Sequence, residues 1–350
     1  MNESCGNALV VKEVNTALVS KALQNCRTAT KQELSQLTGL SLMTVGTILL
    51  QLEESGEVLQ GEQVPSAGGR PSRQYRYNAD STLRLAVQTL KKDGFDTAEI
   101  CVANAFDEIV YLKEFRVSHM EAQSFFAPID DVLNAYPAIR SIAVGLPGVV
   151  QGDTVVSCDF GRLAGCDLGT LFRERYGLPV VLDNDVNCVV AGRCGGRELQ
   201  PETAVVALYF PRVCALGAGI WIGSGVYRGF RSYAGEVSDM PLGIDWCSDQ
   251  TLYDDELKLA AAIAKLVTSL CCVLDPQEIV LYGRVLTERH LNLILEHLKR
   301  TDKLSGDACS GTRARLPEIV LSPEFETDYR NGLLHQARSL LKPAFELRRN

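Results

Sequence analysis

No run of about 18 apolar residues stands out in this chain, so the sequence alone offers nothing to span a membrane. Met1 to Val10 lack the basic start and apolar stretch of a signal peptide. No two cysteines form a C-x-x-C pair, although 12 are scattered from Cys5 to Cys309. That spread argues against a disulfide scaffold and against structural zinc. It fits reduced thiols in the cytoplasm, several of them buried as small apolar groups, as expected for Cys271 and Cys272 in their apolar run. An excess of basic charge is missing too. Lys and Arg number 35 against 43 Asp and Glu, a formal net charge of −8, and positions 1–80 hold seven basic and eight acidic residues. Binding to nucleic acid therefore has to come from a small number of placed contacts and from dimerisation, not from a broad basic surface. What is present is ordinary for folded protein: 46% hydrophobic and 22% charged residues over 350 positions, enough for two or three domains.

The first eighty residues read as three helices and a hairpin. A helix over Val10 to Asn25 carries Val14, Leu18 and Ala22 as its apolar stripe. Thr30-Lys31-Gln32-Glu33 is a capping-box signature, with Leu34 and Leu37 facing the core behind it and Thr38-Gly39 ending the helix. Ser41 caps a third helix, in which Leu42, Val45, Ile48, Leu49 and Leu52 recur at helical spacing. The opposite face presents Ser41, Met43, Thr44, Thr47 and Gln51, small enough to enter a major groove. Strands at Val58 to Gln60 and Gln74 to Tyr77 flank a wing over residues 61–72. In it Gly68-Gly69-Arg70-Pro71 could carry the Arg70 guanidinium into a minor groove, with Arg73 and Arg76 nearby. The pattern predicts a winged helix-turn-helix over 1–80; a small tri-helical interaction domain with a surface turn is the alternative.

From Leu83 the periodicity becomes that of strands. Leu85 to Thr89, Ala98 to Asn104 and Ile109 to Phe115 form a meander, and Ser141 to Gly145 is a further strand ending in Leu146-Pro147-Gly148. Leu178 to Leu182 leads into Asp183-Asn184-Asp185-Val186-Asn187 and a small-residue helix over 188–193. Ala204 to Phe210, Gly217 to Ile222 and Ile279 to Leu281 repeat the strand theme. Helices cover 251–274 and 329–345. Two α/β halves imply two lobes, 83–195 and 196–328, with the C-terminal helix of 329–350 packing on the first.

Leu40-Ser41-x-x-Thr44-Val45 and Gly69-Arg70-Pro71 carry a resemblance when taken together with Gly145-x-Pro147-Gly148, Asn184-Asp185-x-Asn187, Ala234-Gly235-Glu236 and Leu274-Asp275-Pro276-x-x-Ile279-Val280-Leu281. In this order and spacing they resemble the ROK family (repressor, open reading frame, kinase), and specifically its NagC/XylR-like regulators, over nearly the whole chain. The resemblance implies a two-lobed ribonuclease H-like α/β fold, as in sugar kinases and actin, behind the winged helix-turn-helix. It implies a cytoplasmic regulator, in the main a repressor of sugar metabolism, that binds an inverted-repeat operator in double-stranded DNA as a homodimer or higher oligomer.

The same resemblance places three phosphate-contacting stretches at residues 88–94, 211–219 and 282–283. None keeps the family's glycine pattern, and Tyr282 is expected to crowd a nucleotide. The expectation is a protein that is not an enzyme and needs no cofactor; an ATP-dependent sugar kinase with an accessory helix-turn-helix is the alternative. On the sugar side Asp185 matches the family's base, Asn184 a hydroxyl ligand and Glu236 a further sugar contact, while Asp239 stands where the family has a zinc-binding histidine. Only Cys247 follows, so the zinc lobe is expected to be missing and no metal is implied. For Asp183-Asn184-Asp185 the alternative is a turn that merely caps the next helix. His119, His290, His297 and His335 show no ligand spacing.

Overall fold

Thr30 starts the N-terminal architecture. The computed structural model describes residues 3–65, 71–92, 94–211, 215–304 and 316–341. In it α1 (Glu3–Cys26) is followed by β1 (Thr28–Thr30), α2 (Lys31–Thr38) and α3 (Leu42–Glu54). The Thr30 hydroxyl accepts from the Glu33 N–H at 3.3 Å, and the Thr30 N–H donates to the Glu33 carboxylate at 2.7 Å, completing the capping box. Those bonds hold the Glu33 carboxyl below its usual range. Gly39, at φ 71°, ends α2 in the left-handed region, and Ser41 caps α3 through the Thr44 N–H. Across this turn α2 and α3 are bent by 113°.

Val45, Ile48, Leu49 and Leu52 form the buried stripe of α3 against Leu34, Val19, Leu23, Val58 and Tyr77. Three expected core residues are not in it. Leu18, Leu37 and Leu42 are exposed by 43%, 60% and 51%. The buried pair of α1 is Val19 and Leu23, one residue on from the expected stripe and so rotated by about 100°. Leu37 and Leu42 flank the turn, where two short helices diverge past the edge of the small core. The hairpin pairs β2 (Val58–Val64) with β3 (Ser72–Tyr77), longer strands than periodicity predicts, with a register shift between Gln60 and Gln63. β1 adds a third strand on β3. Gly68, Gly69 and Arg70 lie outside the described residues.

The chain divides into two compact units, and the first takes in Ala103–Val110 and Tyr136–Ile139 besides Met1–Leu83. Phe106 packs at 5.9 Å from the Tyr77 ring, the Arg27 guanidinium lies 4.5 Å over Phe106, and Gln24 Nε2 donates to the Ala105 carbonyl at 3.0 Å. The core of the small module thus recruits residues distant in sequence.

The remaining elements build two five-stranded sheets of one design. The first has the order β10-β7-β4-β5-β6, from β4 (Leu83–Lys92), β5 (Phe95–Ala103), β6 (Ile109–Val117), β7 (Ile139–Leu146) and β10 (Val180–Asn184). The short β8 (Val150–Gln151) and β9 (Thr154–Val155) pair with each other. The second has the order β13-β12-β11-β14-β15, from β11 (Ala204–Tyr209), β12 (Gly217–Ile222), β13 (Gly225–Val226), β14 (Glu278–Tyr282) and β15 (Glu318–Ser322). In each a three-strand meander is extended by two later strands, and β14 and β15 join in parallel. Helices α4 (Phe126–Ala135), α5 (Leu168–Tyr176), α6 (Asp185–Cys194), α7 (Gln250–Asp254), α8 (Glu256–Leu274), α9 (Glu288–Leu304) and α10 (Phe325–Ser339) complete the fold. α4, α5, α9 and β15 are additional to the elements that periodicity marks; most are short, and Pro128 or dense charge blurs their pattern.

Among the described residues α8 is long and apolar enough to cross a membrane by length and composition, as is the bent pair α2 and α3, which departs from the expectation that no segment is. Its Leu259, Ile263, Leu266 and Val267 are buried against Val206, Leu208, Ile279 and Leu281 of the second sheet.

α6 and α10 meet through glycine. A Cβ on Gly332 would stand 1.8 Å from the Cys188 carbonyl oxygen, and one on Gly192 would stand 1.8 Å from that of Asp328. Only two facing glycines let the backbones come this close. Gly332→Ala must push the helices apart. The expected loss is about 2–3 kcal/mol, the overpacking cost reduced by alanine's better helix propensity. Urea unfolding monitored by circular dichroism measures it; a midpoint at the parental denaturant concentration would show the contact to be slack.

Candidate functional site

Two places gather the expected residues, one in each compact unit. On α3, Met43 is 82% exposed and Ser41 and Thr47 are exposed, while Thr44 and Gln51 are half-buried. Several of these groups already have local partners. The Ser41 hydroxyl accepts from the Thr44 N–H at 3.1 Å and lies 2.9 Å from the Thr44 hydroxyl, and Thr47 donates to the Met43 carbonyl at 3.1 Å. Met43, Thr47 and Leu50, the last 61% exposed, lie at i, i+4 and i+7 and form one outward face. Arg73 donates to Gln60 across the hairpin, so its guanidinium is held on the neighbouring strand.

The second place is the start of α6. Asn184 is its N-cap: the side-chain oxygen accepts from the Asn187 N–H at 3.0 Å and the amide donates to the Gly148 carbonyl at 2.9 Å. The capping alternative for this motif is thus realised, and both ends of the Asn184 amide are engaged. Asp185 is 6% exposed and accepts from the Val186 N–H at 2.9 Å. Burial, the largest effect, pushes its carboxyl up to about 7; the Val186 hydrogen bond opposes this, and the charges of Asp159 and Glu236 add to it. Glu236 is raised for the same reasons, burial first and then Asp239 and Asp159. Asp185, Glu236 and Asp239 therefore share one electrostatic neighbourhood, and sequence reasoning missed Asp159 as a fourth member. Gly235 brings Glu236 there. At φ 107° its carbonyl accepts from the Ala218 N–H at 2.9 Å, and any Cβ would stand 2.0 Å from the Ala218 oxygen.

Asp183 is the hub that sequence reasoning named but did not assign. Its buried carboxylate accepts from Arg228 Nε at 3.2 Å and Nη2 at 2.5 Å, from Gln336 Nε2 at 2.7 Å and from Asn187 Nδ2 at 3.3 Å. Arg228 anchors the loop that leads to Glu236, and Gln336 ties in α10. No local signal links Arg228 or Gln336 to Asp183, which lie 45 and 153 positions away.

A cavity of about 640 Å³ opens among Leu90, Lys91, Lys92, Tyr209, Gly283 and Arg284. These residues come from or adjoin the three expected phosphate-contacting stretches, of which residues 93 and 212–214 lie outside the described ones. Tyr282 does not crowd it as expected. The ring is fully buried and its hydroxyl donates to Asp328 at 2.6 Å. Lys92 is paired with Glu114 at 3.0 Å and Glu326 at 2.8 Å, and Arg284 with Glu326 at 3.3 Å. Zinc does not fit the position the family implies. Asp239 and Cys247 are exposed, and among the described residues no three His, Cys, Asp or Glu side chains cluster for a metal.

The buried Asp185 gives a pH signature. Its carboxyl is raised from 3.8 to about 7, so the folded state holds the proton more tightly than the unfolded chain. Its contribution is full below about pH 4 and is lost as pH rises through 7. Asp185→Asn removes that loss. The variant is expected to match the parent near pH 4 and to exceed it by about 2–4 kcal/mol at pH 8. Urea unfolding at both pH values tests this, and an equal gap at the two would refute the raised carboxyl.

The ROK family description matches residues 92–252. The "Putative xylose repressor" of Caldicellulosiruptor sp. (strain Rt8B.4) is 28% identical over 257 residues, spanning 69% of this chain and 63% of the relative. The xylose repressor of Caldicellulosiruptor bescii is 25% identical over 281 residues, 75% of this chain and 69% of that one. The chain thus spans roughly two thirds of the length of these curated relatives. A ROK family transcriptional regulator described as a homolog of the E. coli MLC protein superposes with a TM-score of 0.62 at 16% identity, over 93% of this chain and 96% of the other. A ROK family glucokinase from Streptomyces griseus superposes with a TM-score of 0.55 at 18% identity, over 73% of this chain and 99% of the kinase. These two likenesses show the shared fold. With the mixed α/β sheets and the sequence relatives together, residues 92–252 of this chain are a ROK family domain.

Proposed function

We propose that this protein is a cytoplasmic DNA-binding transcriptional regulator, in the main a repressor of sugar metabolism. Its N-terminal module acts as a winged helix-turn-helix and its ROK domain as a sugar-sensing and dimerising part without ATP-dependent activity. The observation that carries the reading is α3: a helix bent 113° from α2 across a three-residue turn, with Ser41, Met43, Thr44, Thr47 and Gln51 turned outward or half-exposed. The sequence relatives that bear the name xylose repressor support it. A dimer would present two such helices to an inverted repeat in double-stranded DNA, with Arg70 and Arg73 of the wing on the flanking minor groove.

The effector is an uncharged sugar or sugar derivative. Asp159, Asp185, Glu236 and Asp239 repel anions, whereas a carboxyl raised to about 7 can donate or accept toward hydroxyls. Asn184 serves this site as the cap that orients Asp185, since its own amide is already bonded at both ends. The wall of the cavity argues against phosphoryl transfer, because Lys92 and Arg284 are already neutralised by glutamates.

Selection of genomic fragments by the purified full chain at near-physiological salt is expected to recover a shared inverted repeat, and a xylose-containing panel of neutral sugars to change its affinity. Asp185→Ala should abolish that response while sparing DNA binding. Recovery of no enriched sequence, with and without the panel, would sink the regulator reading. Steady ATP turnover with any sugar of the panel would instead establish the alternative, a sugar kinase with an accessory helix-turn-helix.

A further inference from the structure

Gly46 sits inside α3, and the Lys31 side chain lies across it. A Cβ at position 46 would stand 2.4 Å from the Lys31 ammonium nitrogen and 2.8 Å from its Cε. Position 46 is three residues from 43 and four from 50, so the ammonium lies on the flank of α3 next to Met43 and Leu50. There it has no counter-charge. Among the described residues no hydrogen bond or ion pair reaches Lys31, and Glu33, the nearest acid in sequence, spends its carboxylate on the Thr30 N–H at 2.7 Å and the Thr30 hydroxyl at 2.9 Å.

Both residues are unfavourable choices locally. A cation in the first turn opposes the helix dipole, and glycine is the poorest non-proline residue for a helix interior. Together they make sense if an external anion completes the lysine. The outward face of α3 has no basic residue of its own, since α3 contains neither Lys nor Arg. In a module with seven basic residues against eight acidic ones, one placed cation matters.

We infer that Lys31, laid through the slot left by Gly46, is a phosphate contact to duplex DNA that seats α3 in the groove. This rests on the DNA-binding reading proposed above. Lys31 is a positioning contact and reads no base, so its loss weakens all sequences alike.

The test uses full-length protein and a labelled duplex from the enriched pool, with anisotropy titrations from about 50 to 200 mM KCl. Lys31→Gln is expected to weaken binding roughly fivefold and to lower the slope of log K against log salt by about 0.9, the share of one phosphate. Lys31→Arg should keep the parental slope. Gly46→Ala should raise Tm, since the helix gains alanine, and keep affinity and slope near the parent's, because the flexible end of Lys31 shifts off the new methyl at little cost. A Lys31→Gln slope equal to the parent's overturns the inference while leaving the regulator reading intact. A parent that binds no duplex overturns both.

Discussion

The close approach of α6 and α10 is the constraint on which the ROK-domain site depends. With Gly332 on the Cys188 carbonyl and Gly192 on that of Asp328, α10 lies against the first turns of α6. Only then does Gln336 reach Asp183, and only with Asp183 so engaged is the Arg228 loop held where Glu236 raises Asp185. Tyr329 of α10 is fully buried with its ring over Gly145, where any side chain would collide with it. The glycine of Gly145-x-Pro147-Gly148 thus serves packing as much as a turn.

Charge is distributed differently in the two places. Among the described residues the charges that act on Asp185 are those of carboxylates, Asp159 and Glu236, while the Arg228 guanidinium is consumed by Asp183. A buried carboxylate stripped of Arg228 would be strongly destabilising, so this pair reads as a structural clamp rather than as a spare ligand for an anion. Around α3 the polar groups are mostly spent locally. Hydroxyls are tied to the helix backbone, the acid of the capping box is tied to Thr30, and Lys31 beside Gly46 has no hydrogen bond or ion pair among the described residues.

Local chemistry was the legible part. The Thr30 to Glu33 capping box, the Gly39 turn, the Ser41 cap and the stripe of Val45, Ile48, Leu49 and Leu52 follow from hydrogen-bonding groups and periodicity within a few residues, and the structure has each of them. The strands that begin each α/β half were legible for the same reason, as continuous apolar runs bounded by turns. Of the motifs that carry the resemblance, Gly145-x-Pro147-Gly148, Asn184-Asp185-x-Asn187 and Ala234-Gly235-Glu236 fall within the residues that match the ROK family, 92–252.

Tertiary structure alone decided the rest. Which leucines leave the small core, Leu18, Leu37 and Leu42 among them, depends on where two short helices diverge, and periodicity says nothing of that. Asn184 is the cap of α6 because Gly148 and Asn187 stand at its two ends. Asp183 found Arg228 and Gln336, and Gly46 found Lys31, through contacts that span helices and loops. The sequence determined the elements and their chemical inventory, because caps, turns and stripes are short-range. Pairing across the fold was left to packing, because burial and ion pairing depend on which distant groups arrive together.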